Sequence, residues 1–420
     1  MVTFDRYSII PTIINESSNT ESVTILILVG AGSRYEDKNN SGVAHYLEHM
    51  FFKGGTIYKT AKDVSMAIDS VGGMHNAFTD KEVAGYYVKI AKEHIETGFK
   101  VLSDMLENAT FPVEEMEKER GVIIEELKMY QDMPSTQVGN DFERLIFGDQ
   151  PIGWDVGGTV ESVSKIVQED LLSFQSALYS PDNMVISVSG NTTKNQVTEL
   201  VKKYFTKTSG KKESTYKPYK ENTGETHLYI KNKETDQVHL VYGMNALPRF
   251  HPLLTTLKVL STAFGGPSSS RLFQTMREEK GLCYYIGSGY DTFDDTGAFY
   301  IRSGVSVERV FEAMDELRKE YELLFNKGIS VDELNFAKEF MKGSMALNME
   351  DSESQAFFYA HRQLLLGEIK SIEQVKEEID SVSLDNVYDL LSLFKKQSLY
   401  LSMIGPFAQE NDFQKYILPL

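Results

Sequence analysis

The sequence predicts an α+β fold made of two homologous domains, in which helices pack on mixed sheets. Its 420 residues exceed what one hydrophobic core usually supports, so two domains of about 200 residues each are expected. A degenerate internal repeat divides the chain into two similar halves. Each half also combines strand-like runs such as Val238–Tyr242 with long helical patterns such as Val310–Phe325, which is typical of layers of helix on sheet.

The repeat is supported by two pairs of segments that occur in the same order. Phe111–Glu119 resembles Ile329–Ala337 at an offset of 218 positions. Asn183–Gly190 resembles Ser398–Gly405 at an offset of 215 positions. Two matches at nearly equal offset indicate a duplication of one ancestral domain.

The stretch between the halves has the composition of a linker. Residues 207–226 are polar, rich in Lys, Ser, Thr and Gly, and contain Pro218. We therefore predict a first domain over 1–206, a linker over 207–226 and a second domain over 227–420.

The strongest functional signal in the first half is a short segment with two histidines. In His45-Tyr46-Leu47-Glu48-His49 the imidazoles are four positions apart, so on a helix both lie on one face and can reach a single ion. Glu48 shares that face and could contact a bound water without being a ligand. This H-x-x-E-H order is the inverse of the commoner H-E-x-x-H zinc helix.

The flanking sequence supports a helix packed on a sheet. Thr24–Val29 is an apolar run that predicts a buried strand. The polar residues Asn39, Asn40 and Ser41 offer N-cap chemistry, and Gly54-Gly55 is a helix stop. The pattern therefore predicts a helix that carries the histidine pair.

A second helix is expected to supply the third ligand, since hydrolytic zinc sites use three protein ligands and a water. Glu119 and Glu126 are seven positions apart and project from one side of a helix. Val122 and Ile123 lie between them and are expected to anchor that side in the interior. An acidic helix is usually a solvated face, but the upstream histidine pair favours a metal site here.

These segments together resemble the pitrilysin/insulinase (M16) family of inverzincin zinc peptidases, in particular its short-chain members similar to mitochondrial processing peptidase subunits and bacterial homologues. The H-x-x-E-H segment is followed by Glu126 after 77 positions. Gly72–Thr79 is similar to the family's edge strand, and Arg277–Tyr284 is similar to its substrate-contacting Arg and Tyr. The resemblance covers essentially the whole chain.

The resemblance implies a role for each matched residue. His45, His49 and Glu126 would be zinc ligands. Glu48 would be the general base, and Glu119 would assist rather than ligate. The other implied residues bind substrate: Asn76, Ala77 and Phe78 through the backbone, and Arg277 and Tyr284 at the scissile region, so that the implied catalytic set is Glu48, Glu119, Arg277 and Tyr284.

The second half has kept the repeat without the metal motif. At the offset of 218 positions, Glu119 falls on Ala337 and Glu126 on Ser344, and no H-x-x-E-H occurs there. The resemblance implies that the chain is half of a clamshell chamber. We therefore expect a homodimer in which Arg277 and Tyr284 of one copy complete the zinc site of the other, with a heterodimer with a paralogous subunit as the alternative.

The composition indicates which kinds of partner and which cellular compartment are expected. The 61 acidic and 43 basic residues give a net charge of −18, which argues against nucleic acid because no basic stripe is present to neutralise phosphates. No apolar stretch approaches the roughly 20 residues of a membrane span. The single cysteine, Cys283, favours a reducing compartment, and the start of the chain has no export signal, so a cytoplasmic protein is expected.

Two classes of function follow from the sequence. The first is a zinc endopeptidase that hydrolyses unfolded or presequence-like peptides. The second is a non-catalytic scaffold of the same fold, such as the related core subunits of respiratory complexes. The presence of all three ligands and of Glu48 favours the endopeptidase, since a scaffold has no physical need for them.

Overall fold

The computed structural model describes residues 2–5, 9–222, 224, 226–395, 397–406 and 410–418. Its strands are β1 (Val2–Asp5), β2 (Thr12–Glu16), β3 (Ser22–Val29), β4 (Met74–Thr79), β5 (Ala84–Ala91), β6 (Met184–Gly190), β7 (Leu228–Asn232), β8 (Gln237–Asn245), β9 (Cys283–Thr292), β10 (Gly297–Ser306) and β11 (Tyr400–Gly405). Its α-helices are α1 (Val43–Phe51), α2 (Ala61–Asp69), α3 (Ile95–Asn108), α4 (Val113–Asp132), α5 (Pro134–Phe147), α6 (Val160–Val163), α7 (Gln168–Leu178), α8 (Lys194–Tyr204), α9 (Leu254–Gly265), α10 (Val310–Lys327), α11 (Val331–Asn348), α12 (Ser352–His361), α13 (Ile372–Ser381) and α14 (Leu384–Phe394).

The first sheet has the strand order β1-β2-β6-β3-β5-β4. Strands β2 and β6 are parallel and the other neighbours are antiparallel. The predicted strand over Thr24–Val29 is confirmed as β3, which lies inside the sheet with no exposed side chain from Val23 to Val29. Strand β4 is at the end of the order and pairs with β5, so the expected edge strand is also confirmed.

The second sheet repeats this arrangement with five strands, in the order β7-β11-β8-β10-β9. Here β7 and β11 are parallel and the remaining pairs are antiparallel. The segments that the repeat aligned, Asn183–Gly190 and Ser398–Gly405, become the corresponding inner strands β6 and β11. Both sheets are mixed and covered by helices, as the fold class predicted.

Each compact unit of the chain contains a segment from the other half of the sequence. The first unit comprises Met1–Lys128, Trp154–Lys217 and Ala346–Lys370, and the second comprises the remaining stretches. Consequently α12 packs on β3 and β6 within the first unit, and α5 packs on β8 and β11 within the second. Helices α5 and α12 thus each pack in the unit formed mainly by the other half of the sequence, and the two are counterparts in the repeat. The domain division predicted at 207–226 does not include this exchange of helices.

Small side chains let the exchanged helix α12 lie close to its sheet. Ala356 and Ala360 on the helix are fully buried, and Ser187 and Ser189 on β6 are buried as well. Bulkier side chains at these positions would hold the helix farther from the strands. The sequence of α12 thus fits the first sheet although it lies in the second half of the chain.

The helix that carries the histidine pair is α1, as predicted. Its residues Val43, Leu47, Met50 and Phe51 are fully buried in the core of the first unit. Because these positions occupy one side of the helix, His45, Glu48 and His49 are left on the other side. All three side chains are partly accessible.

The start of α1 differs from the prediction that Asn39, Asn40 or Ser41 caps it. The N-cap is Gly42, whose φ of 94° is a left-handed conformation that glycine adopts without strain. The carboxyl group of Glu36 performs the capping, and its oxygens accept hydrogen bonds from the amides of Gly42 at 2.8 Å and Ala44 at 2.9 Å. A longer side chain from outside the helix thereby replaces the local cap.

A further correction concerns Val122, which was expected in the interior. Ile123 is fully buried, but the side chain of Val122 is 52% exposed. The two neighbours point about 100° apart around the helix axis, so only one of them can face the core.

Within the described residues, none of the helices is both long and apolar enough to cross a membrane.

Candidate metal centre

Two helices bring three ligand-type side chains together in the first unit. The Nε2 atoms of His45 and His49 are 3.3 Å apart. The Oε2 atom of Glu126 on α4 is 3.5 Å from Nε2 of His49 and 3.9 Å from Nε2 of His45. Within the described residues these three form a group that could hold a metal ion, and it is the set that the sequence analysis had assigned as ligands.

The spacing of these donor atoms fits a tetrahedral ion. Bonds of about 2.0 to 2.2 Å from zinc to nitrogen or oxygen place neighbouring ligand atoms roughly 3.3 to 3.6 Å apart. Two of the three separations lie in this range, and the third is slightly longer. Two imidazoles and one carboxylate are also a donor set that hydrolytic zinc sites use. The residues present therefore fit zinc.

Glu119 supports the cluster from behind His49. Its Oε1 atom accepts a hydrogen bond from Nδ1 of His49 at 2.8 Å, which turns Nε2 of the same ring toward His45 and Glu126. Such a carboxylate–histidine contact fixes the tautomer of a ligand imidazole. The side chain of Glu119 is buried and also forms an ion pair with Lys53. Glu119 thus contacts a ligand without joining the ligand group.

Opposite electrostatic effects act on the two histidines. Burial and the neighbouring His49 lower the pKa of His45 to about 4. Burial also lowers the pKa of His49, but its hydrogen bonds to Glu119 and Glu126 and their charges outweigh burial and raise it to about 9. The carboxylates that favour positive charge on this ring would also favour a cation beside it.

Glu48 lies on the same helix as the histidines, and a threonine holds it. Its Oε2 atom accepts a hydrogen bond from the hydroxyl of Thr79 at 2.5 Å. Burial raises the pKa of Glu48, while the bond from Thr79 lowers it in part. Of these effects on the pKa of Glu48, burial is the larger.

The predicted substrate-binding residues Asn76, Ala77 and Phe78 all lie on the edge strand β4. Asn76 is exposed and Ala77 partly buried. The ring of Phe78 stacks on that of Phe357 with centroids 5.4 Å apart, and it also covers Gly85, where any Cβ would clash with it. The side chain of Phe78 is therefore a packing group, and its backbone remains the part predicted to bind a peptide.

Arg277 and Tyr284 lie close together in the second unit. Arg277 belongs to a π-helical turn over Phe273–Glu279, and Tyr284 follows at the start of the edge strand β9. The Arg277 guanidinium carbon lies 5.6 Å from the centre of the Tyr284 ring and 4.9 Å from that of Phe273. Tyr284 is 72% exposed, so its hydroxyl is accessible.

Sequence reasoning missed three residues that support the site: Thr79, Lys53 and Glu36. Thr79 was quoted only as part of the edge strand, although its alternation with Ala77 puts both on the α1 side of the sheet. Lys53 is four positions after His49, a spacing that could have indicated a charge partner for Glu119. Nothing local to Glu36 indicates that it caps α1.

Comparisons with known proteins identify the family of this chain. The family model described as Insulinase (Peptidase family M16) matches residues 12–159, which include His45, His49 and Glu126. The model described as Peptidase M16 inactive domain matches residues 165–341. The second match fits the loss of the acidic positions in the repeat.

One curated relative and two solved structures extend the likeness to nearly the whole chain. The chain is 34% identical over 395 residues to the uncharacterized zinc protease YmxG of Bacillus subtilis, covering 94% of this chain and 95% of that protein. A protease from Helicobacter pylori has a similar fold, with a TM-score of 0.87, 20% identity and coverage of 97% and 100%. A chain of the complex III2 structure from Candida albicans gives a TM-score of 0.85 at 17% identity, with coverage of 99% and 100%.

Proposed function

Because the chain belongs to the insulinase (M16) family of peptidases, we propose that it is a zinc-dependent endopeptidase that hydrolyses unfolded or presequence-like peptides. The observation that carries the proposal is the convergence of His45, His49 and Glu126 on one point. Glu48 projects from the same helix and provides a proton acceptor beside them. The naming of a relative at 34% identity as a zinc protease supports the choice of metal.

His45, His49 and Glu126 would hold the zinc ion. When bound, zinc supplies Lewis acidity that polarises a peptide carbonyl and lowers the pKa of water toward neutrality. Glu48 takes a proton from the attacking water and then delivers it to the leaving amine. Glu119 keeps the His49 ring oriented, with Lys53 balancing its charge.

An extended peptide would bind along β4. Backbone groups within Asn76–Phe78 that face the outer edge of this strand, which alternate residues supply, can pair with an added strand. Main-chain pairing recognises an extended backbone more than a particular sequence, which suits unfolded peptides. Arg277 and Tyr284 would contact the substrate carbonyl, with the hydroxyl of Tyr284 donating to the developing oxyanion.

Metal analysis combined with a cleavage assay tests the endopeptidase. The purified chain should contain one zinc ion and cleave a quenched unfolded peptide, and a chelator should abolish cleavage. Glu48→Gln should retain the zinc and lose cleavage, because it keeps the ligands and removes the base. Cleavage by Glu48→Gln at the wild-type rate would contradict the assigned base.

A non-catalytic scaffold is the alternative, which the likeness to a chain of complex III2 favours at the level of the fold. A scaffold predicts no bound zinc and no chelator-sensitive cleavage by the purified wild-type chain. Finding neither would decide for the scaffold, and finding both would decide against it.

Assembly is part of the proposal. We propose a homodimer in which Arg277 and Tyr284 of one copy complete the zinc site of the other. Mixing inactive Glu48→Gln with inactive Tyr284→Phe should then restore part of the activity, since one intact site can form in each mixed dimer. Activity of the wild-type chain without any recovery in the mixture would contradict the shared site, and activity only with a second purified protein would indicate the heterodimer.

The lone half-buried Cys283 fits a reducing compartment such as the cytoplasm.

A further inference from the structure

Thr79 connects the edge strand directly to the proposed base. Its hydroxyl donates to Oε2 of Glu48 at 2.5 Å, a length typical of strong hydrogen bonds from a hydroxyl to a carboxylate. Both side chains are partly buried, so water competes poorly for the contact. With Oε2 engaged, Oε1 is the oxygen that remains to accept a proton.

The strand that carries Thr79 is held on both faces. On one face, Thr79 contacts Glu48, and the ring of His75 lies 5.6 Å from that of Phe52 just after α1. On the other face, the ring of Phe78 stacks on Phe357 of α12. Strand β4 is therefore fixed between two helices, and its position relative to α1 is set at two points along its length.

From this geometry we infer that Thr79 is a positioning residue that fixes the Glu48 carboxylate relative to a peptide bound on β4. The inference rests on the proposed function. One strand would then hold both reaction partners: the backbone of Asn76 and Ala77 sets the register of the peptide, and Thr79 at the end of the strand sets the place of the base. Even a small misplacement of a general base lowers the rate strongly, whereas binding through the strand backbone does not need the hydroxyl.

Replacing the hydroxyl by a methyl group tests this role. Thr79→Val in the zinc-loaded full chain should lower kcat for a quenched unfolded peptide roughly tenfold to a hundredfold, which is what loss of a hydrogen bond to a charged group costs. The KM should stay within about twofold, because peptide binding uses the strand backbone. Thr79→Ser, which keeps the hydroxyl, should recover kcat to within about threefold of wild type.

Thr198→Val is the matched control. The hydroxyl of Thr198 on α8 is buried without a hydrogen-bond partner among the described residues, so the same change should leave kcat and zinc content at the wild-type level. The zinc content of Thr79→Val should also match wild type, and the variant should still unfold cooperatively, with an unfolding temperature lowered by only a few degrees because one hydrogen bond to a charged group is lost. A crystal structure of Thr79→Val should show the Glu48 carboxylate turned from its present place.

Peptide binding without turnover provides a second readout. By fluorescence anisotropy, Glu48→Gln and the double variant Glu48→Gln/Thr79→Val should bind a labelled peptide with affinities within about twofold of each other. A clear loss of affinity in the double variant would show that Thr79 serves binding and would overturn the positioning role. An unchanged or increased kcat in Thr79→Val would overturn it as well. Failure of the wild-type chain to cleave any peptide would instead contradict the proposed function, and the position of Glu48 in the Thr79→Val crystal would still decide whether Thr79 holds it.

Discussion

Helices α4 and α11 begin at matching positions of the repeat, Val113 and Val331, but they carry different chemistry. Position 119 is a buried glutamate on α4, and its counterpart Ala337 is a buried alanine on α11. Glu126, the proposed ligand, corresponds to Ser344. The second helix has thus kept the burial that the fold needs without the carboxylates, which indicates that the fold does not depend on the candidate metal site.

Helices α4 and α11 also have similar exposed faces. Val122 and its counterpart Phe340 are 52% and 42% exposed, and Met129 and Leu347 are 49% and 72% exposed. Apolar side chains are therefore accessible at the same positions in both halves. The difference between the halves is concentrated in the acidic positions and in the histidine pair of α1.

Replacing Glu126 should give the largest loss of zinc affinity and activity, because Glu126 is the proposed acidic ligand that α11 lacks. Glu126→Ala should lower zinc affinity by more than a hundredfold and abolish measurable cleavage, since removal of a mere supporting group already costs about 10- to 100-fold. Zinc titration and the peptide assay measure both. Its neighbour Glu125, which is exposed and paired with Lys128, offers the control Glu125→Ala, expected to behave as wild type.

The reciprocal change sharpens the comparison. Ser344→Glu restores a carboxylate on α11, yet it should create no second zinc site, because the second half has no histidine pair. A second equivalent of tightly bound zinc in this variant would show that the second half needs only its carboxylate to bind metal.

Replacing Glu119 should cause the next largest loss of zinc affinity. Glu119→Ala removes the acceptor of the His49 Nδ1–H and the partner of Lys53, and should lower zinc affinity roughly tenfold to a hundredfold. Glu119→Gln keeps an acceptor oxygen and should lie between this variant and wild type. Glu117→Gln, two positions away on the exposed side of α4, is the control. Equal zinc affinity in Glu119→Ala and Glu117→Gln would rule out the supporting role.

Glu36, which lies in the first unit, should have a smaller effect, and this effect is on how the free energy of unfolding depends on pH. Burial raises the pKa of Glu36 from 4.5 to about 8, against the opposing effects of the Ala44 and Gly42 amides and of Lys81, while Asp155 adds to the rise. At the start of α9, the counterpart of α1, the amide of the N-cap Leu253 donates instead to Nδ1 of His251 at 3.1 Å. Since the folded chain keeps a proton that the unfolded chain loses, the free energy of unfolding should fall as pH rises from about 4.5 to 8 and level off above.

Denaturant titrations at several pH values measure this effect. Between pH 6 and pH 8 the wild-type chain should lose roughly 2 kcal/mol more than Glu36→Gln, in which position 36 cannot titrate. Parallel pH profiles for the two proteins would show that Glu36 does not hold the proton.

The sequence predicted the parts of the molecule that depend on spacing along one element. A spacing of four positions put His45 and His49 on one side of a helix, and a spacing of seven did the same for Glu119 and Glu126, because helical geometry fixes which side chains share a face. That Glu126 meets the histidines was implied by the resemblance to the family and not by a local pattern. The sequence did not predict the cap by Glu36, the contact of Thr79 with Glu48, or the exchange of α5 and α12. These depend on side chains brought together from distant segments, for which no local pattern exists.

Val122 shows that the sequence also failed to predict which of two neighbouring apolar residues of one helix is buried. Its replacement should have the smallest effect on the free energy of unfolding. Val122→Thr should change the free energy of unfolding by less than about 0.5 kcal/mol, as exposed substitutions do. Leu347→Gln on α11, at a position that is 72% exposed, should behave alike. Ile123→Val, in the buried neighbour, should cost about 1 kcal/mol because it leaves a small cavity. If Val122→Thr cost as much as Ile123→Val, the exposed faces of α4 and α11 would not be equivalent, because that of α4 would be covered in solution.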